Sequence, residues 1–119
     1  MEKLNSIQKQ ELLNDVYAVD KIGPGGANHK YEIRKAGTAV VLSTIQLQCG
    51  PRKEADSLHG VIDSDLLEIV RHRMQKFQEG PYASEYNSAV LMHVEAALNA
   101  LNARVEDRIA RNVLGKNEK

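Results

Sequence analysis

The chain of 119 residues contains no Trp, one Phe and one Cys. Cys49 has no second cysteine to pair with, which excludes an internal disulfide and favours a reducing compartment. No apolar run approaches the roughly 20 residues of a membrane span, and residues 1–6 lack the apolar segment of a signal peptide. We therefore expect a cytoplasmic protein without a membrane anchor.

An excess of charge of either sign is also absent, because sixteen basic residues balance sixteen acidic ones. Nucleic-acid binding needs a broad positive face, so this balance argues against it. The four histidines and Cys49 lack the spacing of metal ligands, and the sequence shows no Ser-His-Asp, paired-carboxylate or Cys-His arrangement. We expect a protein without a metal, a cofactor or a catalytic site.

The pattern of apolar residues predicts an α+β fold, in which an N-terminal antiparallel sheet precedes two helices. Residues 15–22, 30–34 and 39–48 have strand patterns, which places the sheet within 15–50. A first helix over 64–79, with Asp63 or Ser64 as its N-cap, ends at Gly80. Ser84 caps a second helix that runs to about Gly115. The antiparallel helical hairpin thus spans 64–114, and we predict one domain over 1–119.

The length of the second helix predicts self-association. A helix of roughly 30 residues is about 45 Å long, and its apolar stripe is longer than one domain of this size needs. A short chain also leaves a large share of its surface exposed. We therefore expect a homo-oligomer in which this helix packs against other subunits.

Two residues of the helical hairpin are candidates for ligand binding. Asn87 falls within the apolar stripe of the second helix, where its carboxamide is tied to backbone or to a symmetry mate, or else hydrogen-bonds a ligand at an adenine edge or a ribose hydroxyl. Phe77, the one Phe of the chain, ends the first helix. It belongs either to the core or to a platform on which a base stacks.

Three arginines near the carboxyl end are spaced by four and three residues, which puts Arg104, Arg108 and Arg111 on one side of a helix. Their mutual repulsion is relieved by a bound anion, and guanidinium groups suit phosphate oxygens. A solvated face with Glu106 and Asp107 as neighbours is the alternative. Arg52 adds a loop cation, and Arg111 is the weakest of the four candidates.

The loop over residues 23–29 is rich in glycine and suits either a plain turn or a phosphate cradle. It matches neither a P-loop nor a dinucleotide fingerprint. Asn28 and His29 are therefore weak candidates for a site.

Several segments resemble one family. They are GGANHKYEI at 25–33, DLLEIV at 65–70, FQEGP at 77–81 and AAL at 96–98, followed by Arg104, Asp107, Arg108, Arg111 and Gly115. Their order and spacing over residues 20–115 resemble the first described family of phage Thoeris anti-defence proteins, which shares its helical hairpin with an anti-CBASS nucleotide sponge.

The resemblance implies a non-enzymatic sponge that sequesters glyco-cyclic ADP-ribose, the signal of bacterial TIR-domain sensors, in the host cytoplasm. It also implies a sheet followed by two helices, assembled as a dimer or a trimer of dimers. Cyclic di- or trinucleotides are implied as further ligands, at a site without assigned residues. The implied site for the cyclic ADP-ribose isomer consists of Arg52, Phe77, Asn87, Arg104 and Arg108. Val105 departs from the Thr expected in relatives.

Two other functions remain open on the sequence. A structural phage protein, whose long helix serves only for oligomerisation, needs no small-molecule ligand. Nucleic-acid binding is the third hypothesis, and the neutral net charge disfavours it.

Overall fold

The computed structural model describes residues 1–119, which form two compact units, Met1–Val61 and Ile62–Lys119. The first unit contains the sheet and the second contains the helices. The α+β class and the order of a sheet followed by two helices are confirmed. That both units belong to one domain over 1–119 stays a prediction.

The sheet unit contains four antiparallel strands in the order β1-β2-β3-β4. Their bounds are Glu2–Lys3 for β1, Asn14–Ala18 for β2, Lys30–Lys35 for β3 and Val41–Gln46 for β4. The strands predicted at 30–34 and 39–48 are confirmed, and they pair antiparallel as β3 and β4. The predicted start of the sheet at residue 15 is wrong, because Glu2 and Lys3 pair with Ala18 and Tyr17. β1 has only two residues, both exposed, which are too few to show an alternating pattern in the sequence. The strand is therefore defined only by its pairing with β2.

The first helix, α1, comprises Asp63–Gln78. Its N-cap is Ile62 rather than the predicted Asp63 or Ser64. The Asp65 carboxylate accepts a hydrogen bond from the Ile62 N–H at 2.9 Å, which stabilises the first turn from inside the helix. Gly80 and Pro81 follow the helix, as the sequence predicts.

The second helix, α2, comprises Glu85–Ala110. Ser84 is its N-cap, as predicted, and the Ser84 hydroxyl accepts a hydrogen bond from the Asn87 N–H at 3.1 Å. The predicted end near Gly115 is wrong. The helix stops five residues earlier because Asn112 adopts a positive φ of 59°, which breaks the helical path. With 26 residues, α2 is about 39 Å long.

The two helices pack along half-buried apolar side chains, and an ion pair links them where Arg71 Nε lies 2.9 Å from a Glu95 carboxylate oxygen. Hydrogen bonds to Glu95 and then Glu68 raise the pKa of the Arg71 guanidinium. Neither helix combines the length and the hydropathy that crossing a membrane requires. No cluster of three or more His, Cys, Asp or Glu side chains is arranged to hold a metal ion.

The chain buries few apolar side chains. Among them only Ala18 and Val113 are buried, whereas Val90, Met92, Val105 and Ile109 of α2 are exposed. The accessible surface is 9067 Å². Two separate globules of half this mass would together expose about 7,700 Å². The chain thus exposes more total surface than two globules of this size, and part of that surface consists of large apolar side chains.

Candidate functional site

The aromatic candidate Phe77 lies at the carboxyl end of α1 and is half-buried. The Arg73 guanidinium, one helical turn earlier, stands 5.4 Å from the centre of the Phe77 ring. This distance is within the range of a cation–π contact. The predicted stacking platform therefore already holds one cation, a feature that the sequence analysis missed although the spacing of four residues indicates it.

Asn87 lies in the first turn of α2, close to the turn that joins the helices. Its side-chain amide donates a hydrogen bond to the Tyr82 carbonyl oxygen at 3.0 Å. The Asn87 Nδ2 is therefore tied to backbone, as the first interpretation of this carboxamide predicts. Its Oδ1 accepts no hydrogen bond from the chain, so one acceptor is left that suits the amino group of an adenine.

The three arginines of the predicted stripe have three different environments. Arg108 is 6% exposed and donates hydrogen bonds from Nη2 to the Val113 and Lys116 carbonyl oxygens, each at 2.9 Å. Arg111 pairs with Asp107 at 3.0 Å. Arg104 is exposed and contacts no carboxylate or carbonyl group. Of these three arginines, only Arg104 presents a free guanidinium within the protomer, and Arg108 fastens the segment that follows α2.

Arg52 lies in the loop between β4 and α1, and the backbone of that loop is fixed at both ends. Leu58 and Cys49 exchange two backbone hydrogen bonds of 2.8 and 2.9 Å. Gly60 passes so close to β4 that a Cβ would overlap the Gln46 carbonyl oxygen and lie 2.7 Å from the Leu47 carbonyl carbon. Only glycine fits there. The Arg52 side chain is exposed and makes no ion pair.

Asn28 and His29 close the loop between β2 and β3 through hydrogen bonds with Asp20. The Asn28 amide donates to the Asp20 carbonyl oxygen at 2.8 Å, and the His29 N–H donates to an Asp20 carboxylate oxygen at 2.9 Å. Partial burial raises the pKa of Asp20, but hydrogen bonds from the His29 and Lys30 N–H groups and from Asn28 outweigh it and bring the pKa below its ordinary value of 3.8. The contacts give both residues a structural role.

A groove of about 550 Å³ runs between α1 and α2 beside the Arg71–Glu95 pair. Leu98, Leu101 and Val105 form its apolar part, and Asn99 and Asn102 form part of its polar rim. None of the predicted ligand residues lines it. This groove and the candidate residues are therefore different places.

The candidate residues of the helical unit lie near opposite ends of the hairpin. Phe77 is the penultimate residue of α1 and Asn87 lies in the first turn of α2, whereas Arg104 is 17 residues further along α2. At 1.5 Å per residue this separation is about 25 Å. A compact cyclic ligand cannot contact both ends within one chain.

Comparison with known proteins connects this hairpin to a family. The family model described as Acb2/Tad1, hairpin domain, matches residues 41–106, more than half of the chain. The chain is also similar to "Thoeris anti-defense 1" of Bacillus phage SBSphiJ7, with 34% identity over 97 residues. The chain belongs to the Acb2/Tad1 hairpin-domain family.

This membership confirms the resemblance to Thoeris anti-defence proteins. The similar segment covers 82% of this chain but 66% of the phage relative, so the chain spans just under two thirds of that protein's length. The match to the Acb2/Tad1 hairpin domain includes Arg52, Phe77, Asn87 and Arg104 and ends before Arg108.

Proposed function

We propose that the protein is a non-enzymatic sponge that binds glyco-cyclic ADP-ribose in the cytoplasm of an infected bacterium and thereby blocks Thoeris defence. Family membership supports an anti-defence role. One structural observation carries the ligand proposal: the helical hairpin exposes an unpaired guanidinium, Arg104, and two aromatic side chains, Tyr82 and Tyr86, which are 75% and 84% exposed. Exposed aromatic and guanidinium groups suit a base and a phosphate.

The separation of about 25 Å between Asn87 and Arg104 requires two copies of the chain for each site. One face of α2 carries a sequence of residues that can pair with the same face of a second, antiparallel copy of the chain. At about 100° per residue, six exposed residues share it, and we name them the α2 outer face: Tyr86, Val90, His93, Ala97, Ala100 and Arg104.

Antiparallel pairing of two outer faces about a twofold axis near residue 95 forms three kinds of contact. Tyr86 lies beside Arg104 of the second copy, Val90 lies beside its Ala100, and His93 lies beside its Ala97. A twofold axis makes every such contact occur twice. The pairing covers Val90 and brings a free guanidinium to the end of the hairpin that carries Phe77 and Asn87.

The composite site supplies the chemistry that a doubly phosphorylated adenine compound needs. Phe77 or Tyr86 stacks on the base, which contributes about 1–3 kcal/mol. The Asn87 Oδ1 accepts a hydrogen bond from the base, and Arg104 of the second copy binds phosphate, a charged contact of about 1.5–3 kcal/mol. Nanomolar binding corresponds to about −12 kcal/mol, so further cations are required. The resemblance implies Arg52 and Arg108 as these cations, but within the protomer Arg108 already donates to backbone carbonyl groups.

A calorimetric titration with glyco-cyclic ADP-ribose tests the proposal. We expect tight binding by the wild-type chain and at least a hundredfold weaker binding by Arg104→Gln. Arg111→Gln is the matched control, because Arg111 already pairs with Asp107. After denaturation the ligand is expected to be recovered with unchanged mass. A chemically altered ligand would instead indicate an enzyme.

The pairing of outer faces has its own test in chains that carry Cys49→Ser. A mixture of His93→Cys and Ala97→Cys chains is expected to form disulfide-linked heterodimers. A mixture of Asn99→Cys and Ala97→Cys chains is the control, since Asn99 is exposed on nearly the opposite side of α2. Equal crosslinking in both mixtures would contradict the pairing.

A purely structural, oligomer-forming phage protein is the alternative, and the exposed apolar residues of α2 favour it. An intact oligomer that gives no heat with glyco-cyclic ADP-ribose or with cyclic di- or trinucleotides would support this alternative. Binding of a cyclic di- or trinucleotide together with glyco-cyclic ADP-ribose would instead indicate a second ligand site, as the resemblance implies.

A further inference from the structure

The seven arginines of the chain fall into two groups. Four are already held by the protein. Arg34 pairs with Glu32, Arg71 with Glu68 and Glu95, and Arg111 with Asp107, while Arg108 donates to backbone carbonyl groups. The other three, Arg52, Arg73 and Arg104, make no ion pair or hydrogen bond. A guanidinium without an anionic partner is the kind that is available to a phosphate.

Arg73 differs from the other two free arginines in its position. Its guanidinium stands 5.4 Å from the centre of the Phe77 ring, the platform on which the proposed function places a base. Arg52 lies in the sheet unit, and Arg104 lies at the opposite end of α2. Arg73 is therefore the free cation of the helical unit that lies next to the aromatic platform of its own protomer.

The charged neighbours of Arg73 on α1 do not neutralise its positive charge. Lys76 is the other cation beside Phe77, and it pairs with Glu79 at 3.4 Å. Arg71 lies two residues before Arg73 and is therefore on another side of the helix, where it holds Glu95. A stacked guanidinium keeps its in-plane N–H donors free while its face covers the ring.

We infer that Arg73 is a further ligand-binding residue of the site, one that binds a phosphate of a ligand whose base stacks on Phe77. Within the protomer its guanidinium lies over the ring, 5.4 Å from the ring centre. When the ligand enters, the guanidinium turns towards the phosphate and the base takes its place. This assignment rests on the proposed function. It adds a cation from the same protomer to the Arg104 that the second copy contributes.

Titration of matched variants with glyco-cyclic ADP-ribose tests this assignment. Arg73→Gln is expected to raise the Kd at least tenfold and to weaken its dependence on NaCl concentration, because one charge contact is lost. Arg73→Lys keeps the charge but not the planar fork, so its Kd is expected to lie between those of the wild type and Arg73→Gln. Lys76→Gln removes the same charge one residue from Phe77 and is expected to change the Kd less than twofold.

The outcomes separate this inference from the proposed function. If the wild type binds and Phe77→Ala abolishes binding, an Arg73→Gln chain with wild-type Kd and salt dependence overturns the role of Arg73 alone. If the wild type does not bind glyco-cyclic ADP-ribose, both proposals fail. Equal losses of affinity in Arg73→Gln and Lys76→Gln would also overturn the assignment, because general charge rather than position would then matter.

Discussion

The carboxylates of the sheet unit and the guanidinium groups of the helical hairpin differ in their hydrogen-bond partners. Asp15 accepts a hydrogen bond from the Gly37 N–H at 3.1 Å, and Asp20 accepts one from the His29 N–H at 2.9 Å. In the hairpin, Arg73 and Arg104 contact no acceptor. Polar groups that are satisfied by the backbone hold loops in place, whereas unpaired cations are available to a ligand.

Arg108 is the buried arginine of the hairpin, and backbone carbonyl groups hold it as the backbone holds Asp15 and Asp20 in the sheet unit. We expect Arg108→Ala to lower the free energy of unfolding by about 3 kcal/mol, because it removes a buried side chain and its two charge-assisted hydrogen bonds to the Val113 and Lys116 carbonyl oxygens. Chemical denaturation followed by circular dichroism measures this loss. A variant of wild-type stability that no longer binds ligand would show that Arg108 serves the site instead of the fold.

Arg104 is the opposite case. We expect Arg104→Gln to lose at least a hundredfold in affinity for glyco-cyclic ADP-ribose. Its free energy of unfolding is expected to change by less than about 0.5 kcal/mol, as is usual for exposed positions. Calorimetry and denaturation of the same preparation provide both values. A clear loss of stability without loss of affinity would show that Arg104 stabilises the fold and does not bind the ligand.

Two glycines test how tightly the sheet unit fixes its loops. Gly60→Ala is expected to cost about 3 kcal/mol, because the new Cβ overlaps β4. Gly37→Ala is the control and is expected to cost about 1 kcal/mol, since its φ is +71° but no atom lies within 4 Å of the added Cβ. If both variants lose the same free energy of unfolding in denaturation experiments, the loop that carries Arg52 must shift readily to accommodate the added Cβ.

The smallest expected effect concerns pH. The pKa of Asp20 is lower in the folded protein than its ordinary value of 3.8, so its stabilising effect is complete above 3.8 and is lost as the pH falls through the folded pKa. We expect Asp20→Asn to flatten the fall in stability of the sheet unit between about pH 5 and pH 3. Denaturation curves across this range measure the slope. An unchanged slope would mean that Asp20 does not fasten the loop.

The sequence predicted the elements with a strong local signal. The strand patterns of β3 and β4, the Ser84 cap and the Gly80-Pro81 stop depend on neighbours in the chain, and the structure has all of them. The short β1 and the early end of α2 depend on distant partners or on backbone conformation, so no local pattern reveals them.

The site was predictable in its residue types but not in their environments. Helical spacing places Arg104, Arg108 and Arg111 on one side, but it does not show that Arg108 binds the carbonyl groups of the following segment. Spacing of four also links Arg73 to Phe77, yet the approach of the guanidinium to the ring face is a matter of rotamers.

Mixed oligomers test the central claim, a ligand site shared by two copies, most directly. One chain carries Phe77→Ala and Asn87→Ala, the other carries Arg104→Gln, and two affinity tags isolate the mixed dimers. We expect that neither variant alone binds glyco-cyclic ADP-ribose, whereas the mixed dimer has one intact site and binds one ligand per two chains. Mixed dimers that bind no ligand, although their subunits are paired and folded, would contradict it.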